Sequence, residues 1–180
     1  MTIRNCLIVP FSLLLLVVIN TSCKKIKKTT TFSILDSTEF IIPASTQLNV
    51  PVEINTREVT TSSSQYFSDN KTNAALVKDI KLSALRLNIT DPTGETFSFL
   101  KSIKIYIYGN GQPEVLMASK EDITNDASNP LDLETGNAKL DAYIKSNAYS
   151  LRYELVTDEI FSNDITIQTN LTYSVTASPL

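Results

Sequence analysis

The chain contains no histidine and no tryptophan, and only four glycines and two cysteines among its 180 residues. Without histidine there is no imidazole acid/base catalyst, no Ser-His-Asp constellation and no zinc site of the usual kind. None of the four glycines stands in G-x-G-x-x-G or G-K-[ST] spacing, so no phosphate-cradling loop is present. The lack of tryptophan weakens a sugar-stacking reading but leaves tyrosine platforms open. The cysteines are Cys6 and Cys23, both near the start. Beyond Cys23 the chain has no thiol, which excludes disulfides and thiol catalysis from the rest of it.

What is present begins with an apolar run over residues 7–19, interrupted by Pro10 and Ser12 and preceded by Arg4. A membrane-crossing helix needs about 20 apolar residues, and this run is too short. Its length and the basic residue ahead of it suit the apolar region of a secretory signal. The small polar residues Asn20, Thr21 and Ser22 follow, and then Cys23. An ordinary signal with a chance cysteine, or an uncleaved anchor, are the competing readings.

The order Asn20-Thr21-Ser22-Cys23 resembles the signal of bacterial lipoproteins. Ser22 and Thr21 fit that pattern, whereas Asn20 stands where Leu or Val is usual. The resemblance covers the first 23 residues. It implies a diacylglycerol on the Cys23 thiol, cleavage before Cys23 and acylation of the new amino terminus. It therefore divides the chain into a signal peptide (1–22), a lipidated cysteine with a basic tether (23–31) and one domain (32–180). Each buried methylene contributes about 0.8 kcal/mol, so two or three chains on one residue make attachment effectively permanent. Lys24, Lys25, Lys27 and Lys28 follow the cysteine. They are candidate headgroup contacts, each adding on the order of 1 kcal/mol beside anionic lipid; a solvated tether is the plainer reading. In the lipoprotein family a basic residue after the cysteine fits sorting to the outer membrane. Acidic residues there, which in some lineages direct export to the surface, are absent, so the resemblance implies the periplasmic face.

Five of the 16 Lys and Arg residues, and none of the 19 Asp and Glu residues, precede Thr29. The remaining 152 residues thus carry 11 basic and 19 acidic groups, a net charge of −8. An acidic body repels phosphate backbones and argues against nucleic acid as a partner. Its length suits one domain with a real core. No internal repeat is visible, and TTSSSQ at residues 60–65 reads as a loop within that domain.

The dominant pattern is alternation with period 2. In DITIQTNLTYSVTA, Ile165, Ile167, Leu171, Tyr173 and Val175 share one face with Thr169, while Thr166, Gln168, Asn170, Thr172, Ser174 and Thr176 take the other. This predicts a long strand with one dry face. QLNVPVEI alternates through Leu48, Val50, Val52 and Ile54, and Pro51 marks an edge or a bulge. DIKLSALRLNIT alternates through Ile80 and Leu82, slips by one, and resumes through Leu85, Leu87 and Ile89, which predicts a β-bulge near Ser83 and Ala84. IKIYIY sets Ile103, Ile105 and Ile107 against Tyr106 and Tyr108, and YSLRYELV alternates again. Gly109-Asn110-Gly111 predicts a hairpin, and Asp91-Pro92-Thr93-Gly94 a turn of type I with Gly94 at positive φ. Residues 69–77 and 138–146 each predict about two turns of helix.

Together these predict an all-β fold: an antiparallel, immunoglobulin-like β-sandwich of seven to nine strands with one or two short helices. A closed barrel is the runner-up; a transmembrane barrel fits poorly, because the strands are few and no aromatic girdle is apparent. The body resembles in general terms the β-sandwich domains of small bacterial envelope lipoproteins.

The remaining candidates for chemistry are carboxylates. Glu121, Asp122 and Asp126, with Asn125, cluster in one predicted loop, and Asp158, Glu159 and Asp164 in another. Oxygen-rich loops can hold calcium, but this spacing matches no recognised calcium loop, and solvated acidic loops are the plainer reading. A glycosidase needs two carboxylates facing across a cleft, and 19 acids supply such pairs by chance. Tyr66, Phe67, Phe97, Phe99, Tyr106, Tyr108 and Tyr149 form either core packing or a ligand platform, with packing preferred. The Asn88-Ile89-Thr90 and Asn170-Leu171-Thr172 matches to the N-glycosylation pattern are chance matches in a bacterial lipoprotein.

These features predict no catalytic residue and no cofactor. The expected function is a non-enzymatic, lipid-anchored binding or structural module of the cell envelope, with the membrane, and other envelope proteins, as partners. A surface-exposed adhesin or assembly subunit is the alternative, and a carboxylate-only hydrolase a distant third.

Overall fold

The computed structural model describes residues 28–180. The expected signal segment lies outside the described residues. Ten strands run in the order β1 (Thr30–Ile42), β2 (Val52–Asn55), β3 (Val59–Thr60), β4 (Val77–Asp91), β5 (Leu100–Gly109), β6 (Gln112–Lys120), β7 (Leu131–Asp132), β8 (Glu134–Thr135), β9 (Ala148–Thr157) and β10 (Ile165–Ala177). Two short helices, α1 (Ser63–Asp69) and α2 (Asp141–Ile144), and one 3₁₀ turn (Phe97–Phe99) join them. The first sheet has the order β1-β10-β4-β7, and the second β2-β9-β5-β6-β8 with β3 also on β9. Every strand pairing is antiparallel. The fold is an antiparallel β-sandwich, as the alternation predicts. The strands beyond the expected seven to nine are two-residue pieces, too short to leave a periodic signal. The first strand begins at Thr30 opposite Ala177, so Thr30 and Thr31 belong to the sheet and not to the tether.

β10 shows why these residues build this architecture. Ile165, Ile167, Thr169, Leu171, Tyr173, Val175 and Ala177 are all buried, and every residue between them is half-exposed. The predicted bulge in β4 is present: Thr172 pairs with Ala84 and Tyr173 with Leu82, leaving Ser83 as the extra residue. Its hydroxyl donates to the Thr172 carbonyl at 2.9 Å. Without that residue, one half of β4 would turn its apolar side chains to water. The β5–β6 hairpin closes between Gly109 and Gln112, with Asn110 at φ +54° and Gly111 at φ +68°, the pair of positive values a tight two-residue hairpin requires. Gly94 takes φ +88°, and the Asp91–Pro92 peptide is cis.

The helices differ from expectation. No helix spans residues 69–77. Asn73 Oδ1 instead accepts from the Ala75 and Leu76 backbone N–H groups at 3.0 and 3.2 Å, and Lys71 sits at φ +53°. This is the local competition through which Asn breaks helices. The helix forms earlier, as α1, which begins at Ser63 inside the expected 60–65 loop and runs beyond it, because it buries Phe67 against Phe32, with ring centroids 6.3 Å apart. α2 is a single turn that buries Tyr143 and Ile144.

The two sheets meet over a core filled by side chains. Phe40 of β1 stacks on Tyr153 of β9 with centroids 3.9 Å apart, joining the sheets directly. The Tyr153 and Thr169 hydroxyls bond at 2.8 Å, and the Tyr173 hydroxyl donates to that of Tyr149 at 3.1 Å. Tyr149 in turn donates to Asp36 at 3.2 Å. Each buried tyrosine thus finds a polar partner inside the sandwich, which avoids the cost of a stranded hydroxyl.

Candidate functional site

The sandwich has two unlike ends. β1 carries thirteen residues from one end to the other, about 40 Å at 3.3 Å per residue. Lys28, two residues ahead of β1, is exposed at the first end. Cys23, Lys24, Lys25 and Lys27 lie outside the described residues. The opposite end carries the loops over residues 92–99, 121–130 and 158–164, where both predicted acidic clusters fall.

These loops are tied to one another by backbone bonds. Phe97 N–H donates to the Ala127 carbonyl at 3.2 Å, Ile123 N–H to Lys101 at 3.0 Å, and Asp158 N–H to Phe99 at 3.0 Å. Asn125 Nδ2 donates to Glu159 at 3.1 Å, and Ala44 N–H to Asp164 at 2.9 Å. The weak calcium candidates are not brought together. Glu121 pairs with Lys104 at 3.1 Å, Asp126 accepts from the Thr124 hydroxyl, and Asp122 occupies a backbone corner at φ +51°. Among the described residues, no three acidic side chains converge as a metal would require. The loops instead surround a hollow of about 230 Å³ whose lining includes Glu95, Glu159, Ser98, Asn163, Phe99 and Phe161. Phe161 packs on Phe99 with centroids 5.2 Å apart, while Ile160 stands 83 % exposed. Two carboxylates in a mainly polar hollow suit a cationic group. No nucleophile is paired with a base there.

The tyrosines of IKIYIY do not form an open platform. The Arg152 guanidinium lies 4.2 Å from the Tyr106 ring centroid and covers that face. The same guanidinium forms a two-pronged bond to Glu114 at 2.8 and 2.6 Å and reaches Glu53 and Glu154 at 3.0 and 3.2 Å. Its direct bond holds the Glu114 carboxyl below the usual carboxylate range. Tyr108 donates to Asn55 at 3.5 Å, and Phe67, Phe97, Phe99 and Tyr149 are buried. Packing thus accounts for most of the aromatic set.

Sequence reasoning missed Arg152. Its signal is a lone cation at a wet position of the alternating strand YSLRYELV, two residues before Glu154. It also missed Asp36, which sits on the inner face of β1. Burial raises its carboxyl above the ordinary range, and the bonds from Tyr149 and the Ser62 backbone only partly offset this.

No protein-family model matches the chain, and no curated protein matches it. Solved structures are similar at a distance, and three of them illustrate the range. One described as FLHE is 10 % identical, with 82 % of this chain and 97 % of that chain covered and a TM-score of 0.32. A 60-mer BFDV capsid protein is 10 % identical over 85 % and 95 %, with a TM-score of 0.36. Desmodium yellow mottle tymovirus is 13 % identical over 100 % and 95 %, with a TM-score of 0.30. At these scores the likeness carries no argument about fold or function.

Proposed function

We propose that this protein is a lipid-anchored, non-enzymatic binding or structural module of the cell envelope, held at the periplasmic face of the outer membrane. The observation that supports the reading is the position of β1. It starts at Thr30, seven residues after Cys23. Seven residues span at most about 25 Å when extended. An acylated Cys23 therefore keeps the first end of the sandwich close to the bilayer and leaves the hollow between Glu95 and Glu159 about 40 Å further along β1. That hollow is the contact surface for an envelope partner that presents a basic group. Radiolabelled palmitate incorporation tests the anchor. The wild type is expected to take up label and Cys23→Ala to take up none; equal labelling of both would end the proposal. Protease treatment of intact cells tests the face, with protection expected and digestion favouring a surface adhesin instead.

A further inference from the structure

Every sheet edge except one ends on a short strand. β7, β8 and β3 are two residues long, and β2 is four residues long and follows Pro51. Short edges and prolines are how sheets avoid pairing with other chains. β1 is different. It pairs only with β10, over thirteen residues with no register shift. It contains no proline and no lysine. Along such a strand, alternate N–H and C=O groups point away from its single neighbour. The residues of β1 make no backbone bond outside that ladder among the described residues. Leu35 and Ile41 stand 59 % and 51 % exposed on its outer face. The inward-pointing Asp36, another device that could protect an edge, is engaged by Tyr149 within its own chain.

We propose that β1 is the interface of a homodimer in which two copies pair antiparallel, edge to edge, about a two-fold axis at Thr38. The pattern of β1 is self-complementary about that residue. Leu35 falls opposite Ile41 of the second copy, and Ser37 opposite Glu39 of the second copy. On the inner face, Ile34 falls opposite Ile42, and Asp36, held by the Tyr149 hydroxyl of its own chain, falls opposite Phe40. The ladder runs from residue 34 to residue 42 and stops where Pro43 can donate no hydrogen bond. Neighbouring registers are worse. Centring on Asp36 or on Glu39 sets like carboxylates directly opposite, and centring on Ser37 sets Leu35 against Glu39. Odd shifts oppose inner to outer residues and expose the apolar set. The antiparallel arrangement also brings Lys28 of each copy toward the acidic loop end of the other, where Asp164 bonds Ala44. The two Thr30 ends then lie at opposite ends of the pair, so with both copies anchored the two β1 strands lie along the bilayer surface; the inference itself does not rest on the lipid anchor.

Cysteine cross-linking and mass measurement test it on the full chain in detergent. In an antiparallel pair, directly opposed Cα atoms lie about 4.5–5.5 Å apart, within disulfide reach. Thr38→Cys is expected to form a disulfide-linked species of twice the monomer mass under mild oxidation, above the level of the wild type with its own cysteines. Gln168→Cys, on the outer face of the neighbouring strand, is expected to stay at the wild-type level. Sedimentation of the wild type is expected to give the dimer mass. Leu35→Lys, which alters an exposed position, is expected to halve that mass with an unchanged circular dichroism spectrum. A monomeric wild type without Thr38→Cys cross-linking overturns the proposal. So does a dimer that persists in Leu35→Lys, or equal cross-linking at residues 38 and 168.

Discussion

Two buried threonines, one at the middle of the sandwich and one at its loop end, are treated in opposite ways. Thr169 and Thr157 are both fully buried. Thr169 shares a 2.8 Å hydrogen bond with Tyr153, beneath the Phe40–Tyr153 stack. Among the described residues, neither the Thr157 hydroxyl nor Asp158 Oδ1 beside it has a protein hydrogen-bond partner. The middle is built for stability, with apolar area and satisfied polar atoms. The loop end carries clustered acids and polar atoms that lack a protein partner among the described residues.

The contrast can be broken hardest at its centre. Tyr153→Ala removes the inter-sheet stack and is expected to cost about 3–5 kcal/mol in urea unfolding. Thr169→Val keeps the shape but strands the Tyr153 hydroxyl, and is expected to cost about 1–2 kcal/mol in the same experiment. Thr157→Val removes a hydroxyl that bonds nothing, so the sign reverses: a gain of about 1 kcal/mol is expected. If Thr157→Val destabilised the protein as much as Thr169→Val does, the distinction between the two sites would be lost. Arg152→Ala is expected to cost about 1 kcal/mol at low ionic strength and less in 1 M salt, because its ion pairs lie at the surface, where salt screens them.

The smallest effect is a pH dependence. The folded state raises the Asp36 pKa and so holds that proton more tightly than the unfolded chain does. Stability from this group is therefore present at low pH and is lost as pH rises through the raised value. Glu114 and Asp132 act in the opposite sense. Their carboxyls are held below the ordinary range by Arg152 and Arg86, so their contribution is lost as pH falls. Asp36→Asn is expected to remove only the first component, visible as a flatter stability curve just above the usual aspartate range.

Much of the fold was legible because sheet periodicity is local. Alternation alone identified the buried face of β10, and the slip of one residue between Leu82 and Leu85 located the bulge at Ser83. The Asn-Gly pair located the β5–β6 hairpin. The helices were less legible, since α1 depends on a distant packing partner, Phe32, and residues 69–77 on a side-chain turn at Asn73. The candidate site was legible only as composition. The acidic loops could be found in the sequence, but the bonds that keep Glu121 with Lys104 and Asn125 with Glu159 join residues 17 and 34 positions apart. Arg152 gathers partners from three strands, and no short window of sequence contains them.

The pairing of β1 with β10 has a consequence for the order of assembly. Thr30 meets Ala177 and Ile42 meets Ile165, so the first strand of the body finds its ladder only on the last. A chain emerging from a ribosome must keep β1 unpaired until β10, which begins at Ile165, has followed. Closing such long loops is slow. The leading segment is thus the part most in need of shelter while the protein is being made.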